Sequence, residues 1–198
     1  MKTSFDLNHA KLAADPRFAG IAHELSALSP INSRDSFNRY CREACRLWNK
    51  AFPNGIGETE QFAELLYRIE HANDGVIRTG WGGVVITLHE HPRVEKYLVV
   101  RKGGYLALEM HEQKDERLEI REGAGLILWR PPNERSLTVE VLLPGAEFHF
   151  QPGIEHFIIG AEDLLVFEHS VDPKGMDQDL IFIYEPDAVA TPLPSHAC

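Results

Sequence analysis

The stretch that decides the fold is residues 103–123, GGYLALEMHEQKDERLEIREG. Within it Glu109, His111 and Glu116 stand at the spacing E-x-H-x4-E, and each side chain is able to ligate a divalent metal. Glu109 and His111 are two apart, so on a β-strand they share a face. Leu106, Leu108 and Met110 alternate with them, while Tyr105 and Ala107 share the Glu109 side. Glu116 follows His111 after a gap long enough for a turn that lays the next strand alongside. His156, in QPGIEH, is the fourth candidate. Two imidazoles and two carboxylates make a near-neutral N/O donor set. Such a set suits one divalent manganese, zinc or iron ion better than a thiolate-loving metal. Burying two carboxylates without a cation is costly, which favours ligation over a merely polar interior.

Gly103, Glu109, His111, Glu116 and Gly123 reproduce every spacing of the motif G-x5-H-x-H-x4-E-x6-G, with Glu109 in place of the first His. Gly145, Pro152, Gly153 and His156 answer more loosely to G-x5-P-x-G-x2-H-x3-N, with Gly160 where Asn is expected. On these residues the chain resembles the cupin superfamily. Between Trp81 and Tyr184 it is similar, more narrowly, to the type II phosphomannose isomerase cupins. A WG dipeptide precedes their barrel, as Trp81-Gly82 does here, and LALEMHEQKDERLEIREG follows their core pattern. In that pattern Glu109 takes the place of a Gln, Lys114 that of an Arg and Leu118 that of a Trp, and the resemblance covers about half the chain.

The resemblance implies a mainly β fold, a cupin double-stranded β-helix (jelly-roll barrel) preceded by an α-helical region. It implies a metal held by Glu109, His111, Glu116 and His156, and an aldose–ketose isomerase acting on a sugar or sugar phosphate through a metal-stabilised enediol. Glu168 and the segment from Asp177 to Asp179 echo the family's acidic closing stretch. For proton transfer the candidates are Lys96, in step with Val94 and Leu98 on the preceding strand, and Glu168. Lys114 and Arg117, flanking Glu116, are candidates for an anionic group on the substrate, although the run from Lys114 to Arg117 also reads as a solvated turn. His149, His89 and His91 read as surface residues. The competing functions are an Fe(II)-dependent cupin oxygenase and a non-enzymatic sugar-binding or regulatory cupin.

The 198 residues suffice for one domain of moderate size or one plus an appendage. The net charge of −10 and pI near 5.4 disfavour a general nucleic-acid binder and offer nothing to an anionic membrane. The expected partner is a small molecule, a carbohydrate, together with a second copy of the chain in a homodimer. The amino terminus lacks the apolar core of a secretory signal, and three cysteines make no disulfide framework, so a cytoplasmic location is expected.

Three regions are expected: a helical part over 1–75, a barrel over 76–185 and a tail over 186–198. Asp15-Pro16 reads as the start of a helix running through Phe18, Ile21, Leu25 and Leu28 to Ser29-Pro30. A second helix starts at Asp35, with Phe37, Tyr40, Cys41, Ala44, Cys45 and Trp48 as one apolar stripe. A third runs from Thr59 to about Asn73. Beyond Gly75, VVITL, KYLVV, YLALEMH, GLILW, LTVEVLL, EFHF, FIIG, LLVFEH and LIFIYE read as short strands separated by turns, the pattern of a sandwich or barrel.

Overall fold

The architecture was established from a computed structural model that describes residues 4–57 and 62–184. Thr59, the expected start of the third helix, Cys198 and the expected tail lie outside the described residues. Two six-stranded sheets face each other as a double-stranded β-helix, the cupin jelly roll, behind an N-terminal helical region.

The first sheet runs β1 (Asp6–Asn8), β8 (Ser136–Leu142), β7 (Gly125–Arg130), β10 (Glu155–Gly160), β5 (Leu108–His111), β12 (Leu180–Tyr184). The second runs β2 (Gly75–Thr79), β3 (Gly82–Glu90), β4 (Arg93–Val100), β11 (Leu164–Val171), β6 (Asp115–Glu122), β9 (Glu147–Phe150). Between them lies an apolar core that includes Leu98, Leu118, Ile120, Ile127, Ile158 and Val166. Each strand of the middle alternates: residues of one parity fill this core and those of the other face outward. Gly123, which closes the 103–123 stretch, has φ 80°, and a Cβ there would fall 1.8 Å from the carbonyl oxygen of Asp163, so the turn takes glycine alone.

Helices cover the outer face of the first sheet and the β3, β4 and β11 part of the second. The second expected helix is α3 (Arg34–Ala51), which begins one residue early because Ser33 caps it. The Ser33 hydroxyl accepts from the Ser36 N–H, and the Ser36 hydroxyl accepts from the Ser33 N–H. Its stripe is buried as expected, with Phe37, Tyr40, Cys41 and Trp48 fully so. Phe37 meets Phe157 of β10 edge-on at 4.9 Å, and Trp48 stacks on Phe18 at 5.4 Å. Burying a side chain of this size stabilises by about 1.5–3 kcal/mol. The Trp48 indole N–H donates to Glu162, whose carboxylate also accepts from the N–H groups of Ile56 and Gly57. The first expected helix is α2 (Ala19–Ser26), which starts after Asp15-Pro16 rather than at it; α1 (Ala10–Ala14), before Asp15, was not expected. The third is α4 (Phe62–Ala72), whose Phe62, Leu66 and Ile69 cover Val85, Val99 and Leu165 on the second sheet. No helix among the described residues is long and apolar enough to cross a membrane.

Two expectations on β5 are corrected. Tyr105 packs with the helices rather than inside the barrel, and Leu106 lines the interior cavity. Strict alternation fails there because residues 106 and 107 lie outside the ladder, which starts at Leu108. The strand after the turn does not lie alongside β5 either. Residues 112–114 carry the chain across the barrel, so β6 pairs with β11 and β9 in the opposite sheet.

Two tests follow from this packing. A fragment starting at Gly75 uncovers Leu108, Leu126, Leu128 and Phe157, so it is expected to aggregate; a monodisperse, cooperatively melting fragment would show the helices to be a separate unit. His9 is buried with its Nε2 3.0 Å from the Tyr40 hydroxyl, and burial pushes its pKa down from 6.5 to about 4. The unfolded chain therefore binds this proton first. Stability from neutral His9 is complete above pH 6.5 and is lost as the pH falls through 4, by up to about 3 kcal/mol. Chemical denaturation of His9→Gln should show a flatter decline over that window than the unaltered protein; parallel profiles would refute the assignment.

Candidate functional site

Five strands of the barrel and two connecting segments converge on a single charged cluster. Glu109 and His111 come from β5, His156 from β10, and Glu116 from β6 on the facing sheet. Glu109 and His156 are direct cross-strand partners, which places their side chains next to each other. On β10, Phe157 turns outward to Phe37 of α3, and this fixes His156 inward. The His156 ring stacks on Phe150 at 4.5 Å and 9°. Its Nε2 lies 2.7 Å from Glu116 Oε1.

His111 is oriented from behind. Its Nδ1 is 2.9 Å from Asp179 Oδ1, while Asp179 Oδ2 accepts from the backbone N–H of Gln113 and of Lys114. With Nδ1 turned to Asp179, Nε2 faces the cluster, 4.0 Å from both Glu116 Oε2 and Asp177 Oδ1. Metal-ligating histidines are held in the same way, by a carboxylate on the remote nitrogen.

Lys114 sits at the centre. Its ammonium lies 2.6 Å from Glu116 Oε2, 2.7 Å from Glu168 Oε1 and 2.7 Å from Asp177 Oδ1. Lys96 lies alongside, 2.5 Å from Asp177 Oδ2 and 3.3 Å from Glu168 Oε2. Both lysines are buried, and so are Glu116 and Glu168. These residues border a cavity of about 380 Å³ whose other walls include Trp81, Val84, Leu98, Leu106 and Phe182.

The electrostatics follow from this crowding. Burial raises the Glu109 carboxyl to about 7, against the pull of His156. Burial pushes Glu116 the same way, but Lys114 and His156 prevail and hold it well below the usual range. Asp177 is likewise held low by the two lysines despite its burial. Burial would neutralise Lys96 and Lys114; Glu168 and the other carboxylates reverse this and keep both charged. His156 is raised by Glu116, again against burial.

Lys96, Glu168 and Lys114 are thus brought together with Glu109, His111, Glu116 and His156. Arg117 is not. It alternates with Glu116 and Leu118, so it is exposed on the outer face of β6, opposite His149 of β9. His149 is exposed there, as expected, with its Nε2 2.9 Å from Asp115 Oδ1. The run from Lys114 to Arg117 is no solvated turn, since Lys114 and Glu116 are buried. In the sequence Asp177 and Asp179 are only an acidic echo; nothing there tells that one spans two lysines and the other holds His111.

The donor set has the chemistry a divalent ion needs: two imidazoles, one correctly oriented, and carboxyl groups that outnumber the two ammoniums. Glu116 Oε1 and Glu168 Oε1 are buried, each with one nitrogen at 2.7 Å, from His156 and Lys114 respectively. Among the described residues no three His, Cys, Asp or Glu side chains are grouped as they would be around a metal ion; Glu116 contacts His156 through one oxygen and Lys114 through the other.

No family model matches the chain, and no curated protein matches it in sequence. Solved structures resemble it in shape. Capsular polysaccharide assembling protein CapF from Staphylococcus aureus overlaps 56% of this chain and 31% of its own, at 16% identity and a TM-score of 0.49. Lactobacillus farciminis oxalate decarboxylase overlaps 55% of this chain and 33% of its own, at 16% identity and a TM-score of 0.46. A double-stranded β-helix protein of Klebsiella pneumoniae overlaps 56% of this chain and 85% of its own, at 17% identity and a TM-score of 0.40. The chain spans about a third of the length of the first two. At such identities the likeness concerns the barrel alone.

Removing Lys114 tests the cluster. Lys114→Met leaves Glu116, Glu168 and Asp177 short of positive charge, and breaking a buried pair costs about 3–5 kcal/mol. Depressed carboxyls contribute stability above their unfolded pKa and lose it as the pH falls through the folded value. The deficit of the variant should therefore be largest near neutral pH and shrink in acid. Denaturant titrations at pH 7.5 and pH 4 measure it; a deficit that is absent, or that grows in acid, contradicts the cluster.

Proposed function

We propose that the chain is a metal-binding cupin that interconverts an aldose and its ketose, as the finer resemblance to type II phosphomannose isomerases implies. The observation that carries this reading is the meeting of Glu109, His111, Glu116 and His156 beside a cavity that has a lysine–carboxyl pair in its wall. These four are the residues to hold one divalent ion, manganese, zinc or iron. A bound ion supplies Lewis acidity toward a carbonyl and the hydroxyl next to it.

The chain's own groups have separable parts. Asp179 keeps His111 Nε2 free to donate its lone pair. Lys96, held charged, is a proton donor at Nζ rather than a base. Glu168, 3.3 Å from it, is the acceptor that takes the proton from the carbon next to the carbonyl, yielding an enediol. Trp81, Leu98 and Leu106 exclude water from that step. The substrate is a small carbohydrate, and the working form a homodimer.

A second reading, a sugar-binding cupin without catalysis, is favoured by one observation: Glu116 already has a nitrogen at each of its oxygens. Metal analysis separates the two. The purified protein should carry about one divalent ion per chain, and His111→Ala should lose most of it. Asp179→Ala, which only frees the ring, should weaken binding about 10–100-fold. Incubating the metal-loaded protein with mannose, lyxose and their phosphates in deuterated water should give the ketose, with deuterium at C1 or C2. Neither product nor exchange with any metal would remove the isomerase reading in favour of the binding or Fe(II)-oxygenase alternatives; full occupancy in His111→Ala would remove the ligand set.

A further inference from the structure

Asp177 has no part in the chemistry above, yet it holds the most conspicuous position in the cavity. It lies in the loop between β11 and β12 and spans the two buried lysines, one oxygen on each, 2.5 Å from Lys96 Nζ and 2.7 Å from Lys114 Nζ. The lysine side chains are 6% and 2% exposed, whereas that of Asp177 is 29% exposed. The carboxylate therefore stands between the ammoniums and solvent.

The lysines do not need it as a counter-ion. Lys96 already faces Glu168, and Lys114 already faces Glu116 and Glu168. Asp177 is a third carboxylate for two ammoniums. It is also presented at a conformational cost: Met176 and Asp177 are successive non-glycine residues with φ 48° and 60°. Asp172 holds the loop in this shape, its Oδ1 accepting from the N–H groups of Lys174 and Gly175 and its Oδ2 from that of Asp177. The result is a carboxylate delivered by a surface loop to a two-lysine seat at the edge of a cavity with apolar walls.

We propose that Lys96 and Lys114 form the seat for an anionic oxyacid group, carboxylate or phosphate, on a small substrate, and that Asp177 fills that seat until the substrate displaces it. The proposal rests on reading the cavity as a substrate site; it does not depend on the metal or on isomerisation. A tethered carboxylate competes as if present at millimolar or higher concentration. Small free anions therefore bind the unaltered protein weakly, and removing Asp177 opens the seat.

The test uses the full chain, passed over chelating resin, and titrates acetate and inorganic phosphate by calorimetry. Asp177→Ala and Asp177→Ser should each bind one of the two anions at least tenfold more tightly than the unaltered protein. Preference for acetate assigns a carboxylate, and preference for phosphate a phosphate ester. Adding Lys96→Gln to Asp177→Ser should abolish the gain. In the unaltered protein, saturating anion should speed hydrogen exchange over residues 172–179, a readout that needs no variant to fold. No tightening in either variant, a gain that survives Lys96→Gln, or exchange indifferent to anion would overturn the proposal. Because no metal is present, such a failure leaves the deuterium-exchange assay standing, and a failed isomerase assay leaves this one standing.

Discussion

The Lys114 ammonium is the contact on which the rest of the barrel's interior depends. It gathers Glu116 from β6, Glu168 from β11 and Asp177 from the loop before β12, all within 2.7 Å. Its backbone N–H also bonds Asp179, which orients His111 on the opposite sheet. One residue thus sets the charge at the centre and the direction of the imidazole at the rim. A buried ammonium alone is prohibitively costly, and so are buried carboxylates alone; each is tolerable because of the other.

That arrangement exists because residues 112–114 cross between sheets. Had β6 paired with β5, Glu116 would stand on the same wall as His111, with nothing opposite. With β6 in the second sheet, Glu116 meets His156 of the first at 2.7 Å across the interior. The helices support this from outside. Phe37 against Phe157 fixes which side of β10 is wet, and Trp48 with Glu162 anchors the end of α3 to the turn after β10. Packing on the outer face therefore determines the placement of His156 on the inner one.

The sequence was legible wherever a strict period held. Two-residue alternation pointed His111 inward and put Lys96 in step with Leu98, and the stripe from Phe37 to Trp48 was read correctly as core; Glu116, His156 and Glu168 were reached through motif spacing and the family resemblance instead. It was not legible where the period lapsed. Residues 106 and 107 leave the ladder, so Tyr105 and Leu106 exchanged the faces expected of them. The short β1 and α1 carry too few residues to show a pattern. Arg117 obeyed the alternation of β6, which sends it outward; nearness to Glu116 in the chain was a poor guide. Lys114 lies in a turn, where neither period applies, and its central place follows only from where the loop carrying Asp177 returns.

A barrel of this size does not need such a cluster for stability. Apolar side chains of similar volume in place of a buried ion group are often neutral or stabilising, since desolvation offsets the Coulombic gain. Here two lysines, two histidines and several carboxyl groups are kept in a space where the neighbouring layers are Leu98, Leu118, Ile158 and Val166. They are also arranged so that burial and partners pull in opposite directions, with Glu109 raised to about 7 and Glu116 held low on facing strands. Carboxyl groups driven apart in this way, at the wall of a cavity, are the arrangement that proton transfer and preorganised charge stabilisation both require. An interior kept charged at a cost in folding energy is what the proposed binding site requires and what an apolar barrel core does not.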